Sequence, residues 1–183
     1  MVYLMVKKPG DAGYIVRLGW GNMVYCFFST VSYHLEGVGH WGERFPRLLR
    51  DLCDHGIVEN EHLQELQREL DQIPRELQKY PVSEAIYDIQ NLSLPIPWEE
   101  IPKESGEEDI NLAQPWVTPR GDSWYFTVFR EQIQQAINEE APLLLIFPFE
   151  MGTKSTLWQP KEKGHDYWTR DKDPISLSPD SGK

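Results

Sequence analysis

Strand-forming segments predominate at the start of the chain. Residues 2–6 alternate between Val or Leu and other side chains, and residues 14–18 and 23–28 are rich in residues that favour strands. Turns at residues 9–13 and 19–22, both of which contain glycine, separate the three segments. The pattern therefore predicts an N-terminal antiparallel meander of three strands.

The segment after the meander predicts two helices separated by a bend. Thr30 is suited to cap a short helix over residues 31–36, because its hydroxyl oxygen can accept a hydrogen bond from an unpaired backbone N–H. Residues 37–42 are rich in glycine and favour the bend. Pro46 is suited to the first turn of the second helix, and Gly56 is suited to end that helix.

The clearest helix lies in the middle of the chain, where apolar residues recur at intervals of three and four. Its apolar positions are Leu63, Leu66, Leu70 and Ile73, and its opposite face carries Glu61, Glu65, Arg68 and Glu69. We expect the helix to begin near Val58 or Glu59. Because proline cannot donate the backbone hydrogen bond of a helix interior, we expect Pro74 to kink or end it.

The later part of the chain predicts a strand, a helix and a second strand. Residues 124–128 alternate as a strand does, and residues 129–137 change to helical spacing. Residues 143–147 form a short apolar run bounded by Pro142 and Pro148. Such a run is typical of a strand that is buried on both faces.

Together these elements predict one α+β domain over residues 1–150. In it the meander and the later strands form a sheet, which is packed by about four helices. Five prolines mark residues 91–119 as a loop, and this loop carries a run of acidic residues. Residues 151–183 are polar, and we expect this C-terminal extension to be partly disordered.

The composition is that of a globular protein. Hydrophobic residues make up 40% and charged residues 26% of the 183 residues, which excludes collagen, a coiled coil and a disulfide scaffold. The apolar run at residues 141–149 is far shorter than the roughly 20 residues of a membrane-spanning helix, and no signal peptide is evident. Cys26 and Cys53 fit a reducing compartment. We therefore expect a cytoplasmic protein without membrane contact.

The net charge of −11 is concentrated in the middle of the chain. Residues 51–110 hold 16 acidic and 4 basic residues, a net charge of −12. Such a field repels the phosphates of nucleic acids and anionic membranes, and it attracts a basic partner. The alternative interpretation is an exposed helix face that only keeps the protein in solution.

Two local patterns suggest chemistry, and both lack the necessary context. Residues 37–42 match the glycine pattern of dinucleotide-binding proteins, but a helix is predicted before them where that fold requires a strand, which favours a bend. Cys53, His55 and His62 form the densest group of possible metal ligands, although they lack the spacing of known zinc motifs. The sequence therefore predicts no cofactor, and a small-ligand or metal-dependent enzyme that uses this group is the alternative.

Several segments together resemble the bacterial immunity protein 70 family. The sharpest is Gly39-His40-Trp41-Gly42-Glu43-Arg44-Phe45-Pro46, which is followed by the acidic helix with Gln67-Arg68-Glu69-Leu70. The helix predicted at residues 129–136 and the strand that begins at Pro142 follow in the order and spacing of the family. The motif residues are interpreted as determinants of the fold: Trp41, Gly42, Arg44, Phe45 and Pro46.

The resemblance implies a non-catalytic antidote that binds and neutralises a cognate toxin domain of a polymorphic toxin system. A toxin that acts on nucleic acid carries a basic surface, which suits the acidic residues 51–110. The candidate contacts are the acidic residues Glu59, Glu61, Glu65, Glu69, Asp88, Glu99 and Glu100, with Trp98 as a hydrophobic anchor. An acidic adaptor for another basic protein is a further alternative.

Overall fold

Four strands, four helices and two short 3-10 turns make up the described part of the chain. The computed structural model describes residues 2–7, 13–19, 21–93, 111–113 and 125–146. The strands are β1 (Val2–Val6), β2 (Tyr14–Gly19), β3 (Ile57–Val58) and β4 (Leu143–Ile146). The helices are α1 (Gly21–Leu35), a π-helix (Arg47–Asp54), α2 (Leu63–Leu77) and α3 (Tyr125–Asn138). The predicted α+β class is confirmed.

The sheet is antiparallel throughout and has the strand order β2-β1-β4-β3. Leu4 of β1 pairs with Leu145 of β4 on one side and with Val16 of β2 on the other. Leu144 of β4 also pairs with Ile57 of β3. Because β4 lies between two strands and Leu143, Leu144 and Leu145 are at most 2% exposed, the prediction of a strand buried on both faces is confirmed for its described residues.

The prediction of a third strand in the meander is wrong, because residues 23–28 belong to α1. The β1–β2 hairpin forms as expected, and the chain then turns directly into a helix. The short helix predicted at residues 31–36 is the last part of α1, so Thr30 lies within the helix and does not cap it. A short apolar run does not distinguish a strand from a helix that is buried around most of its circumference.

The strand predicted at residues 124–128 is also wrong for its described residues, which begin α3. Three aromatic rings of α3 surround the ring of Phe27 on α1. The centroid distances from Phe27 are 5.7 Å to Tyr125, 5.5 Å to Phe126 and 6.0 Å to Phe129. The three rings of α3 reach Phe27 together only if residues 125–129 are helical. These tertiary contacts override the strand preference of the alternating residues 124–128. The helix predicted at residues 129–136 is confirmed as part of α3.

The predicted central helix is confirmed with a different beginning. Its apolar positions are buried, and α2 continues through Pro74 to Leu77. It begins at Leu63 and not near Val58, because Val58 pairs with Leu143 in the sheet and a 3-10 turn, Asn60–His62, intervenes. No helix in the described ranges is both long and apolar enough to cross a membrane. Residues 151–183 and Phe147 lie outside the described residues.

We expect Phe27→Ala to lower the free energy of unfolding by about 3–5 kcal/mol, because it leaves a cavity among four aromatic rings. Urea denaturation measures this change. Leu92→Ala is the control, since Leu92 is 52% exposed and its truncation should change the free energy of unfolding by less than about 0.5 kcal/mol. Equal effects of the two substitutions would contradict the position of Phe27 in the core.

Candidate functional site

The glycine-rich segment after α1 is a bend, as predicted. Gly37, Gly39 and Gly42 have φ values of 95°, 88° and 69°, a region that favours glycine. The bend connects α1 to the π-helix, so helices lie on both sides of it. The strand that a dinucleotide-binding fold places before its glycines is not there. We refer to residues 37–43 as the glycine loop.

One carboxylate at the end of α1 holds the backbone of this loop. Glu36 accepts hydrogen bonds from the N–H groups of Gly42 at 2.8 Å, Arg44 at 2.9 Å and Phe45 at 2.8 Å. The hydroxyl of Ser32, one turn earlier, donates to the same carboxylate at 3.2 Å. Hydrogen bonds to a charged acceptor are stronger than neutral ones, and together these four fix the path of the chain into the π-helix.

The motif residues make further contacts around this path. The indole N–H of Trp41 donates to Asp54 at 2.9 Å, at the end of the π-helix. Arg44 forms two hydrogen bonds with Glu76 of α2, one of them at 2.8 Å, and this guanidinium lowers the pKa of Glu76. Phe45 is 1% exposed. A Cβ atom on Gly42 would approach the Arg50 side chain to 2.5 Å, so both φ and space require glycine there.

A second carboxylate, Glu69, holds the beginning of the π-helix. It accepts hydrogen bonds from the N–H groups of Arg47 at 3.1 Å and Leu48 at 2.8 Å, directly after Pro46. The first N–H groups of a helix have no acceptor within the helix. Glu69, which belongs to α2, is the acceptor for two of them. Glu69 is only 9% exposed, so its predicted place on the polar face of the helix is wrong.

The burial of Glu69 also affects its titration. Removal from water raises the pKa of its carboxyl to about 7, and the nearby charge of Asp51 adds to this effect. The two backbone N–H groups and the positive charge of Arg47 oppose the shift but do not outweigh it. The carboxyl therefore titrates near neutral pH.

Three of the predicted contact residues are exposed at the beginning of α2. Glu61 and Glu65 have side chains that are 79% and 46% exposed, and Glu59 is also exposed. Arg47 donates to Glu65 at 2.7 Å and to Asp51 at 2.7 Å. The hydrogen bond from Arg47 lowers the pKa of Glu65. We refer to Glu59, Glu61 and Glu65 as the acidic surface.

The remaining predicted contacts lie elsewhere or outside the described residues. Asp88 is 7% exposed, and its carboxylate accepts the N–H of Gln90 at 2.8 Å. Burial raises the pKa of the Tyr25 phenol, and the negative charge of Asp88 adds to this effect. Asp88 is therefore a buried residue of the loop on α1 and not part of the acidic surface.

Trp98, Glu99 and Glu100 lie outside the described residues. The described chain resumes at Asn111, which bridges to Pro81, while the N–H of Leu112 donates to the carbonyl of Tyr80 at 3.0 Å. This point lies beyond the C-terminal end of α2, whereas the acidic surface lies at its beginning. The 15 residues of α2 span about 20 Å, which separates Asn111 from the acidic surface.

The group of Cys53, His55 and His62 does not form a site. Cys53 is fully buried in the core. His55 lies 3.9 Å from Asp51, and His62 lies 3.4 Å from Glu61. Within the described ranges, no three His, Cys, Asp or Glu side chains converge as metal ligands would. The metal-dependent alternative has no geometric basis in this part of the chain.

Comparisons with known proteins place this arrangement in a family. A family model described as Immunity protein 70 matches residues 11–145. The matched range includes the glycine loop, the π-helix, the acidic surface and α3. The resemblance inferred from the sequence is therefore confirmed. No curated protein and no solved structure matched the chain.

We expect Glu36→Gln to lower the free energy of unfolding by about 1–3 kcal/mol, because an amide cannot accept all of the hydrogen bonds that the carboxylate accepts. Chemical denaturation measures this change. Glu43→Gln is the matched control, since the Glu43 side chain is 60% exposed and the change should have little effect. An unchanged stability of Glu36→Gln would show that the carboxylate does not hold the loop.

We expect a pH dependence of stability that originates at Glu69. Because its folded-state pKa is raised from 4.5 to about 7, its contribution is present below pH 4.5 and is lost as the pH rises through 7. With allowance for solvent screening, the loss is about 2 kcal/mol. Glu69→Gln should remove this part of the pH dependence, measured by denaturation between pH 4.5 and 8. Parallel curves for the two proteins would contradict the prediction.

Proposed function

Because the chain belongs to the Immunity protein 70 family, we propose that it binds and neutralises a cognate toxin domain and has no catalytic activity of its own. We propose the acidic surface as the part of the molecule that contacts the toxin domain. Inhibition by binding requires only that the complex cover or distort the surface with which the toxin domain acts.

The charges at the acidic surface favour a basic partner. Glu59, Glu61 and Glu65 are exposed within a short stretch, and Arg47 contacts both Asp51 and Glu65. The contact with Arg47 neutralises part of the charge of Glu65, whereas the Glu61 side chain is 79% exposed and contacts His62 at 3.4 Å. A partner with exposed Lys or Arg residues would be attracted over about a Debye length, which accelerates its encounter with this surface.

A toxin domain that cleaves or modifies nucleic acid fits this chemistry. Such a domain needs a basic surface to bind phosphates, and an acidic antidote can occupy that surface directly. Trp98, Glu99 and Glu100 remain predicted contacts of the toxin domain.

We expect the double variant Glu59→Lys with Glu61→Lys to associate more slowly with the toxin domain. The domain to be tested as the partner is the C-terminal domain of the protein encoded immediately beside this chain. Stopped-flow or biosensor kinetics at low salt should show an association rate lower by about tenfold, and the difference should shrink at high salt. Glu65 is left unchanged because it contacts Arg47.

The matched control is Glu84→Lys with Glu131→Lys, which changes the net charge equally at two other exposed positions. This variant should retain most of the wild-type association rate, and both variants should protect cells from the toxin in proportion to their affinity. Equal rates for the two double variants would contradict a role of the acidic surface. A wild-type protein that neither binds the domain nor protects cells would contradict the proposed function.

A further inference from the structure

We propose that the glycine loop is a preformed recognition element that inserts Val38 into a shallow apolar depression of the toxin domain. This inference rests on the proposed function and extends its interface beyond the acidic surface. It gives the toxin domain an apolar feature in addition to its positive charge.

The loop is fixed in shape before any partner binds. Glu36 holds its end through the N–H of Gly42, and the indole of Trp41 is bonded to Asp54. Within the loop, the N–H of His40 donates to the carbonyl of Gly37 at 3.3 Å, and the His40 ring lies 3.0 Å from the Glu43 carboxylate. A loop that is already ordered loses little conformational entropy on binding, which favours affinity.

The fixed loop exposes an apolar side chain. Val38 is 63% exposed, a larger fraction than for the other exposed large hydrophobic residues of the described ranges, which are Tyr14, Ile15 and Leu92. Gly39 leaves open space beside it, because a Cβ atom there would meet nothing within 4 Å. Val38 therefore stands clear of the described part of its own chain and can enter a depression on another surface.

The loop is connected to the acidic surface through the π-helix. Trp41 contacts Asp54 near the end of that helix, and Arg50 of the same helix donates to the Trp41 carbonyl at 3.5 Å. At the other end, Arg47 links the helix to Glu65 of the acidic surface. The π-helix therefore contacts both the glycine loop and the acidic surface.

The flanking side chains define the partner more closely. His40 and Glu43 of the same loop have side chains that are 58% and 60% exposed, and they contact each other at 3.0 Å. A complementary surface has an apolar depression that is bordered by a Lys or Arg. Such an arrangement, an apolar centre with a polar rim, is typical of energetically important contacts between proteins.

Val38→Asp separates the apolar contact from charge attraction. The substitution adds a negative charge, so a purely electrostatic role of the loop predicts equal or faster association with a basic domain. If Val38 inserts into the toxin domain, Val38→Asp should instead weaken binding. The Kd should be at least about tenfold higher, mainly because the complex dissociates faster. Val38→Ala should weaken binding in the same direction and by less.

Leu92→Asp is the matched control, since it adds the same charge at another exposed apolar position. It should bind as the wild type does, and thermal unfolding should show that all variants remain folded. Wild-type affinity of both Val38→Asp and Val38→Ala would overturn this inference and leave the proposed function intact. Loss of binding by Leu92→Asp to the same extent would also overturn it. A wild type that does not bind would overturn both.

Discussion

The carboxylate of Glu36 organises the connection on which the candidate binding region depends. It accepts three backbone N–H groups from the segment that leads into the π-helix, and Glu69 accepts the first two N–H groups of that helix. Backbone donors that are withdrawn from water need such acceptors, because an unsatisfied donor destabilises the folded state. Two carboxylates, one directly after α1 and one within α2, thus determine where the glycine loop and the π-helix lie.

This arrangement explains how a small acidic protein can present a defined surface. The glycine loop has no regular secondary structure, and its shape depends on contacts to α1 and the π-helix. Arg47 connects the scaffold to the acidic surface. Its backbone N–H donates to Glu69, and its side chain donates to Glu65 of the acidic surface. The internal acceptors hold the scaffold, and the carboxylates of the acidic surface remain exposed. π-Helices are uncommon and are frequent at functional sites, in agreement with this interpretation.

The sequence predicted the parts of the fold in which one pattern dominates. The leucine spacing of α2 and the apolar run of β4 identified these elements, since each has a single buried arrangement. The predictions of strands at residues 23–28 and 124–128 failed because aromatic residues are buried around most of α1 and of the first turn of α3. The contacts of the Phe27 ring join residues about 100 positions apart, and a local pattern does not reveal them. The internal position of Glu69 was missed for a similar reason: its backbone partners are 21 and 22 residues away.

The most direct test is amide hydrogen exchange of the chain alone and in complex with the proposed toxin domain. The account predicts that binding slows exchange in the glycine loop and at residues 59–65, while α3 is unchanged. It also predicts that the N–H groups of Arg44 and Phe45 already exchange slowly in the free protein, because Glu36 accepts them. Protection that is confined to other segments, with the glycine loop and the acidic surface unchanged, would contradict it.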